Sequence, residues 1–354
     1  MKVNCVLVGL AVVLAGCGGR NENPRADAGC AAGSLDACEY PVRGGELTKQ
    51  TVMVTDAVTG RVLPVLARKP VGAGPAPVVV WSHGGGLNDE GQLLSPEWGD
   101  TLVTHGFVVL SIGHVEVNTA TAQALCVEGM VPAAECVPPA DEDSGLIALV
   151  KARDVIAVLE ALPTLQLTGA ELDLARVAVM GWSAGARGPL VTHGTRFLPT
   201  ASAPIYSAPH PRPVAVVALS PMGPGYGGFY DGPSGSSWDQ VRGPVFVGTG
   251  DNDTKPTKPD LTGATRRISW ERQPADGKRW LLYSKLPDGT GGHGTYNLSD
   301  LRSSDARVAR FSRALRSGVL AFLDAELRGD AAARAWLESG NARTLAGDAD
   351  WEHK

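Results

Sequence analysis

Short apolar stretches alternate with segments of helical periodicity from residue 47 onward. Strands are predicted where a stretch is wholly or almost wholly apolar, at residues 78–81, 107–111, 177–180, 214–219, 245–247 and 280–283. Stretches without polar alternation are typical of strands that are covered on both faces. Residues 51–55 and 62–66 predict a β-hairpin, and apolar spacing over 147–162 and 307–328 predicts helices. This order favours an α/β protein with a mainly parallel central sheet flanked by helices.

A serine motif follows the predicted strand 177–180, at the end of a strand where parallel sheets gather their chemistry. The motif reads Gly181-Trp182-Ser183-Ala184-Gly185. It is a G-x-S-x-G pattern, in which a serine stands on a sharp turn between a strand and a helix, here predicted over 184–191. Small residues two positions before and after the serine let the strand and the helix approach each other. We therefore predict Ser183 as a nucleophile; the alternative is a glycine-rich turn with a chance serine.

A glycine-rich segment follows the predicted strand 78–81 and reads Ser82-His83-Gly84-Gly85-Gly86. Acyl transfer places negative charge on a carbonyl oxygen, and backbone N–H groups can hold that charge. We predict the N–H groups of Gly85 and Ala184 as the two donors, with Gly86 as the alternative to Gly85. His83 precedes the nucleophile in the chain, so we expect its ring to order this loop by hydrogen bonding rather than to act as a base.

The acid and the base are predicted from chain order, which in this arrangement runs from serine to acid to histidine. His293 lies in a glycine-rich loop after the strand 280–283, whereas His353 is expected to be frayed at the end of the chain. Asp253 completes a G-x-x-D pattern after the strand 245–247 and is the favoured acid. Asp251 is the alternative acid. A calcium site on residues 251–253 is a further alternative, but the glycine and distal glutamate of a calcium loop are missing.

These motifs resemble the α/β-hydrolase superfamily, in particular its platelet-activating-factor acetylhydrolase and dienelactone-hydrolase-like branch. Residues 82–85 and 102–109 carry the likeness to this branch, and residues 322–330 are similar to the terminal helix of bacterial esterases and lipases in it, including relatives of the polyester hydrolases. The resemblance implies an α/β-hydrolase catalytic domain over residues 47–345 and a serine-dependent carboxylic ester hydrolase that works through an acyl-enzyme. An amidase or peptidase on the same triad, or a non-catalytic envelope binding protein, is the alternative. Polyester hydrolases usually carry a tryptophan where residues 220–223 read Ser-Pro-Met-Gly, which argues against plastic or cutin hydrolysis.

Substrate contacts are predicted for Trp182, Met222 and Trp270, although the last two are equally compatible with a place in the core. Two inserted segments, residues 113–144 and 223–238, are expected to shape the pocket as a disulfide-pinned lid and a mobile aromatic wall. The alternative for both is surface decoration. The implied substrate is a small-molecule or lipid-like ester, and no metal or organic cofactor is implied.

The chain begins with a positive residue and an apolar run over residues 3–14, which ends in Leu-Ala-Gly before Cys17. This resembles a bacterial lipobox, so we predict a lipoprotein signal peptide over 1–16 and a lipid on Cys17. A plain secretory signal is the alternative. Residues 17–46 are rich in small and polar residues and are predicted to be a flexible tether. The protein is then expected to be exported to a bacterial cell envelope and anchored to a membrane through the lipid.

Four cysteines remain for the exported domain, namely Cys30, Cys38, Cys126 and Cys136. An even number in an exported protein indicates two disulfides. Three pairings are possible, and the local one, Cys30–Cys38 with Cys126–Cys136, is favoured because each pair brackets a short loop. A zinc site is the alternative, but the spacings do not form paired metal-binding knuckles.

Composition narrows the class of protein further. The chain has 354 residues, of which 44% are hydrophobic and 19% charged, as in ordinary soluble domains. The formal net charge of −5 gives no indication of nucleic acid as a partner.

Overall fold

The computed structural model describes residues 34–72, 74–255 and 257–354 of the chain. Its strands are β1 (Leu47–Thr55), β2 (Val62–Pro70), β3 (Ala76–Ser82), β4 (Val108–Ile112), β5 (Leu172–Trp182), β6 (Pro213–Leu219), β7 (Asp231–Gly232), β8 (Gly235–Ser236), β9 (Val245–Gly250), β10 (Arg279–Ser284) and β11 (Asp350–His353). Its α-helices are α1 (Pro96–Thr104), α2 (Thr119–Glu128), α3 (Gly145–Ala161), α4 (Arg187–Thr192), α5 (Gly263–Glu271), α6 (Ala306–Arg328), α7 (Ala331–Glu338) and α8 (Gly340–Ala346). Short 3-10 segments span Leu35–Cys38, Asp89–Leu93, Ala133–Glu135, Leu162–Thr164, Ser183–Ala186 and His293–Asn297.

A mixed, mainly parallel sheet forms the centre of the described structure. Its strand order is β1-β2-β4-β3-β5-β6-β9-β10-β11. The strands from β4 to β10 in this order pair in parallel, whereas β2 runs antiparallel to both of its neighbours and β11 runs antiparallel to β10. The predicted α/β architecture is therefore confirmed, including the hairpin, in which Thr51 pairs with Leu66.

The central strands are apolar without alternation because helices cover both faces of the sheet. In β3, Val78 and Val80 belong to a core cluster that includes residues of α3 and α4. Val79 and Trp81 belong to a second cluster that includes residues of α1 and α6. Successive side chains of a strand point to opposite faces, so each of these residues is buried against one layer or the other.

The carboxyl ends of five parallel strands meet at one edge of the sheet and carry the predicted chemistry. The glycines 84–86 follow β3, and Ser183 follows β5. Ser220 follows β6, Asp253 follows β9, and the loop that leads to His293 follows β10. Residues that are far apart in the chain are thereby brought to one edge.

The described part of the predicted tether packs against the domain. Tyr40 donates a hydrogen bond of 2.7 Å from its hydroxyl to Asp324 on α6. Glu39 forms ion pairs with Arg313 and Arg316 on the same helix. Residues 34–46 are therefore held on α6 by specific contacts, whereas residues 17–33 lie outside the described part of the chain.

The end of the chain is also part of the sheet. β11 lies beyond the predicted domain boundary at residue 345 and pairs with β10. His353 stacks on Trp280 with ring centroids 3.9 Å apart, and its Nε2 is 2.8 Å from the Gly277 carbonyl oxygen. The prediction of a frayed His353 was wrong, because a short strand at the sheet edge holds it.

Cys126 and Cys136 form a disulfide, with Cα atoms 5.8 Å apart, which confirms this predicted pair. The other predicted pair includes Cys30, and the predicted lipidation site is Cys17; both lie outside the described residues. Among the described helices, none is long and apolar enough to cross a membrane.

Candidate active site

Ser183 lies on a strained turn between β5 and a 3-10 segment. Its φ of 56° is in the left-handed region, which a residue with a side chain enters at a cost of about 1 to 3 kcal/mol. Two glycines make the turn possible. A Cβ atom at Gly181 would overlap the Gly185 carbonyl oxygen, and one at Gly185 would overlap the Ser82 carbonyl oxygen. The G-x-S-x-G motif is therefore dictated by close backbone packing around Ser183.

The three predicted catalytic residues form a continuous hydrogen-bonded chain. Ser183 Oγ is 2.8 Å from His293 Nε2, and His293 Nδ1 is 2.7 Å from Asp253 Oδ1. An ionised carboxylate only accepts hydrogen bonds, so the imidazole proton belongs on Nδ1 and Nε2 is free to accept from the serine hydroxyl. This geometry can transfer the Ser183 proton to His293.

Asp253 lies in a fully buried pocket of hydrogen-bond donors. Ser220 Oγ donates to its Oδ1 at 2.7 Å, and Thr249 Oγ1 donates to its Oδ2 at 2.8 Å. The guanidinium of Arg266 adds an ion pair, with Nε 3.3 Å from Oδ1, and Nε also donates to the Asp253 backbone carbonyl at 3.0 Å. Both carboxylate oxygens are therefore fixed in position.

The electrostatics of this pocket keep the carboxylate ionised. Burial by itself would raise the pKa of Asp253, but the charge of Arg266 and the hydrogen bonds from His293 and Ser220 lower that pKa below its ordinary value. A carboxylate that stays ionised can orient the Nδ1 proton and stabilise an imidazolium on His293.

The structure distinguishes the two candidate acids. Asp251 accepts a hydrogen bond of 2.7 Å from the Tyr283 hydroxyl, and its residue is exposed. Asp253 alone of the two touches His293. Asn252, between them, uses its side-chain amide to bind the carbonyl oxygens of Leu286, Pro287 and Thr290.

Two residues of this site were missed by sequence reasoning. Arg266 lies on α5, and its neighbour Arg267 pairs with surface acids, so the sequence gives no sign that the first of the two arginines is fully buried. Ser220 was noted only as the place where related polyester hydrolases differ. Its φ is 50°, and its Oγ lies 2.7 Å from Asp253 Oδ1 and 2.8 Å from His293 Nδ1.

The glycine loop after β3 lies against Ser183. A Cβ atom at Gly84 would be 2.6 Å from the Trp182 ring and 3.2 Å from Ser183 Cβ. Gly85 has a φ of 76°, which favours glycine. Ala184 lies in the first turn of the 3-10 segment, where backbone N–H groups have no partner within the segment. The loop is therefore close enough to Ser183 to contribute an oxyanion donor.

The His83 ring makes a hydrogen bond within the glycine loop, as predicted. Its Nδ1 is 2.7 Å from the Gly84 carbonyl oxygen. Burial, assisted by the charge of Lys151, lowers the pKa of His83 to about 2, so the ring is neutral. A neutral ring that faces a carbonyl oxygen carries its proton on Nδ1 and donates it there.

The three predicted substrate contacts have different surroundings. The Trp182 ring lies 4.9 Å from the His293 ring, and its Nε1 donates to the His293 carbonyl at 3.1 Å. Met222 is buried within the core cluster that contains α3. The Lys354 ammonium lies over the Trp270 ring. The backbone of Lys354 is hydrogen-bonded to that of Arg279, the first residue of β10, so Trp270 lies near the end of the sheet that is away from Ser183. Of the three, Trp182 is in direct contact with the triad.

The inserted segment 113–144 reaches the glycine loop. Glu142 pairs with Lys255 at 3.2 Å and also with Lys258, which links the insert to the loop after Asp253. A Cβ atom at Gly85 would be 3.9 Å from Glu142 Oε2. The segment therefore borders the predicted oxyanion site, as expected for a residue stretch that shapes the pocket.

The second insert, residues 223–238, is packed rather than open. Phe229 and Trp238 are buried, with ring centroids 5.4 Å apart, and both belong to the core cluster that contains α3. These two rings of the predicted aromatic wall therefore stabilise the core.

Comparison with models of known protein families gives no match, and comparison with curated proteins finds no similar one. Among the described residues, no group of three or more His, Cys, Asp or Glu side chains is placed to hold a metal ion. The function is therefore argued from the geometry around Ser183.

Proposed function

We propose that this protein is a serine hydrolase of the α/β-hydrolase type that cleaves carboxylic esters through an acyl-enzyme. The observation that carries the proposal is the hydrogen-bonded chain from Ser183 through His293 to Asp253. Hydrogen bonds link the three groups in the order nucleophile, base and acid, with the serine on a strained turn.

The topology supports the same proposal. The strand order β1-β2-β4-β3-β5-β6, with β2 reversed, places Ser183 after a central strand of the sheet. The acid follows β9 and the histidine follows β10, in the chain order that the α/β-hydrolase triad uses. As part of this proposal, we place the protein in the platelet-activating-factor acetylhydrolase and dienelactone-hydrolase-like branch, which its sequence motifs resemble.

The proposed reaction has two stages. Ser183 Oγ attacks the ester carbonyl carbon while its proton passes to His293 Nε2, and Asp253 stabilises the resulting imidazolium. The N–H groups of Gly85 and Ala184 hold the negative charge on the carbonyl oxygen. His293 then returns the proton to the leaving alcohol oxygen. Water, activated by the same histidine, releases the acid and restores Ser183.

The first experiment measures p-nitrophenyl ester hydrolysis over a range of acyl lengths, together with labelling by a fluorophosphonate. Ser183→Ala is expected to lose both, with a fall in kcat of at least about 10³-fold, because the nucleophile is gone. Ser317→Ala, at a buried serine of α6, is the matched control and is expected to keep both. A folded wild-type protein that hydrolyses no ester and takes no label would refute the proposal and favour a binding role.

The matching p-nitroanilides test the amidase alternative in the same assay. Amide cleavage demands protonation of a poorer leaving group than ester cleavage does. We expect ester turnover to exceed amide turnover by orders of magnitude, and comparable rates would change the proposed class to amidase or peptidase.

We also propose export and lipid anchoring through Cys17. The Cys126–Cys136 disulfide supports an oxidising compartment. Metabolic labelling with an alkyne fatty acid should mark the wild-type chain but not Cys17→Ala, which should be recovered without detergent. An unlabelled wild-type chain would argue for the plain secretory signal.

A further inference from the structure

A second Ser–His–Asp chain lies beneath the glycine loop and is closed to solvent. Ser82 Oγ is 2.8 Å from His114 Nε2, and His114 Nδ1 is 2.8 Å from Asp154 Oδ2. All three residues have no exposed surface, so no substrate reaches Ser82. Asp154 also forms an ion pair with the buried Arg61. The chain therefore has a role other than nucleophilic attack, and its position indicates which one.

The position that matters is that of Ser82, the last residue of β3. The glycines 84–86 follow it after a single intervening residue. Burial lowers the pKa of His114 well below its usual value, so the ring is neutral. The two nitrogens of this neutral ring bridge the Ser82 hydroxyl and the Asp154 carboxyl group, one as donor and the other as acceptor. The end of β3 is thereby tied to α3.

Lys151 ties the next residue to the same helix. Its Nζ donates to the His83 carbonyl oxygen at 3.1 Å, and the side chain is fully buried. Lys151 and Asp154 are three positions apart on α3, so both project from one face of the helix. Burial of a lysine is costly unless its charge is well compensated, and this one binds a single backbone carbonyl within the described structure.

Three consecutive residues of the loop are therefore each fixed by a side-chain hydrogen bond. The Ser82 hydroxyl binds His114, the His83 carbonyl binds Lys151, and the Gly84 carbonyl binds the His83 ring. The Gly84 carbonyl belongs to the peptide group whose N–H is that of Gly85. Hydrogen bonding to the carbonyl of a peptide fixes its plane and strengthens its N–H as a donor.

We propose that Lys151, His114 and Asp154 are positioning residues that hold the loop 82–86 so that the Gly85 N–H points at the developing oxyanion. The inference rests on the proposed ester hydrolase function. It assigns α3 a role in transition-state stabilisation, although its Lys151 and Asp154 side chains are closed to solvent.

Two variants test the inference from different sides. Lys151→Met keeps an unbranched side chain, one heavy atom shorter, and removes the donor to His83. Ser82→Ala removes the link to His114 with a minimal change in volume. We expect kcat to fall about tenfold or more in each, with KM within about twofold, because a misplaced oxyanion donor weakens the transition state and spares substrate binding.

Ser111→Ala is the matched control. Ser111 is a buried serine of the neighbouring strand β4, and its Oγ accepts a hydrogen bond from Arg68 at 2.8 Å. This variant loses a buried side-chain hydrogen bond that goes to Arg68 and not to the glycine loop or its supporting residues. It is expected to keep the wild-type kcat and KM.

The affinities for two ligands distinguish a misplaced oxyanion donor from a general loosening of the site. A trifluoromethyl ketone forms a hemiketal with Ser183 whose oxyanion occupies the proposed hole, whereas the corresponding alcohol cannot form it. We expect the affinity for the ketone to fall about tenfold in both variants while that for the alcohol is unchanged. A kcat and ketone affinity within about twofold of wild type in both variants would overturn the inference, as would equal losses for ketone and alcohol. A wild-type protein inert to esters would instead refute the proposed function.

Discussion

The guanidinium of Arg266 lies against the carboxylate of Asp253, with its Nε 3.3 Å from Oδ1, and both side chains are closed to solvent. Arg266 also donates from Nη1 to the carbonyl oxygens of Ser220 and Pro221, each at 2.9 Å. One buried cation therefore holds both the acid and the turn that carries Ser220. Because a cation near a carboxylate favours its ionised form, Arg266 controls the pH range over which Asp253 stays charged.

Arg266→Gln is expected to move the acid limb of the kcat/KM profile to higher pH. The pKa of Asp253 is below its ordinary value in the protein, so activity that needs the carboxylate is present above that pKa and lost as the pH falls through it. Removal of the guanidinium raises this pKa and takes a positive charge from beside the hydrogen-bonded Asp253–His293 pair, so the proton uptake that blocks the base begins at a higher pH. Measuring kcat/KM between about pH 4 and pH 8 checks the prediction.

Arg267→Gln is the control for this shift. Arg267 is the next residue of α5, but it pairs with Glu271, Asp350 and Glu352 near the surface. Its loss should leave the acid limb in place. Equal profiles for the two variants would contradict a specific role of Arg266. Stability needs a separate urea titration, because removing one partner of a buried ion pair costs about 3 to 5 kcal/mol.

Replacing either Asp251 or Asp253 with asparagine tests which of the two is the acid of the proposed triad. Asp253→Asn is expected to lower kcat by about 10⁴-fold, since an amide cannot hold the Nδ1 proton in place. Asp251→Asn keeps an oxygen that can accept from the Tyr283 hydroxyl, and this residue does not bind His293, so kcat should stay within about twofold. Each variant replaces one carboxylate oxygen with an amide nitrogen, and steady-state kinetics on one ester compares the two variants. A greater loss in Asp251→Asn would reverse the assignment.

Gly185→Ala is expected to disrupt the turn that carries Ser183. The new methyl group would overlap the carbonyl oxygens of Ser82 and His83, so the strand and the turn must separate. Overpacking of this kind costs about 1 to 3 kcal/mol of stability, and a shift of the nucleophile by about 1 Å costs about a hundredfold in activity.

Gly340→Ala is the matched control, because a Cβ atom at Gly340 meets no other atom within 4 Å. Denaturation midpoints and kcat for the two variants check the prediction. Wild-type kcat in Gly185→Ala would show that the close approach of the turn to β3 is unnecessary.

The parts of the fold that depend on local pattern could be predicted from the sequence. Wholly apolar stretches mark β3 and β9 because both faces of those strands are buried. Chain order and glycine spacing lead to Ser183, Asp253 and His293, since the turn and the strand ends impose those residue types. Each of these predictions uses a constraint that acts within a few positions of the residue concerned.

The parts that depend on packing between distant segments could not be predicted. Arg266 and Arg267 are adjacent and chemically identical, yet only the first meets a buried carboxylate. Residues 34–46 resemble a tether in composition, but Tyr40 finds Asp324, which is 284 positions away. Trp270 has the character of a pocket residue and instead lies under Lys354 at the other end of the sheet.

Asp324 collects the contacts that hold the described N-terminal segment. Its Oδ2 accepts hydrogen bonds from the Tyr40 hydroxyl at 2.7 Å and Arg43 at 3.2 Å, and lies 2.9 Å from His105 Nε2. Burial by itself would raise the pKa of Asp324, but the hydrogen bonds from His105 and Tyr40 and the charge of Arg328 lower it to about 2. This carboxylate is therefore a source of acid-dependent stability.

Asp324→Asn is expected to flatten the acid side of the stability profile. The folded pKa of about 2 lies below the unfolded value of 3.8, so the carboxylate contributes stability that is complete above the unfolded pKa and lost as the pH falls towards the folded one. The wild-type free energy of unfolding should drop through this window, and the variant should start lower and drop less. Tyr40→Phe removes one donor, raises the folded pKa and should show an intermediate slope. Urea denaturation at several pH values measures all three proteins, and parallel profiles would mean that Asp324 does not hold the segment 34–46 on α6.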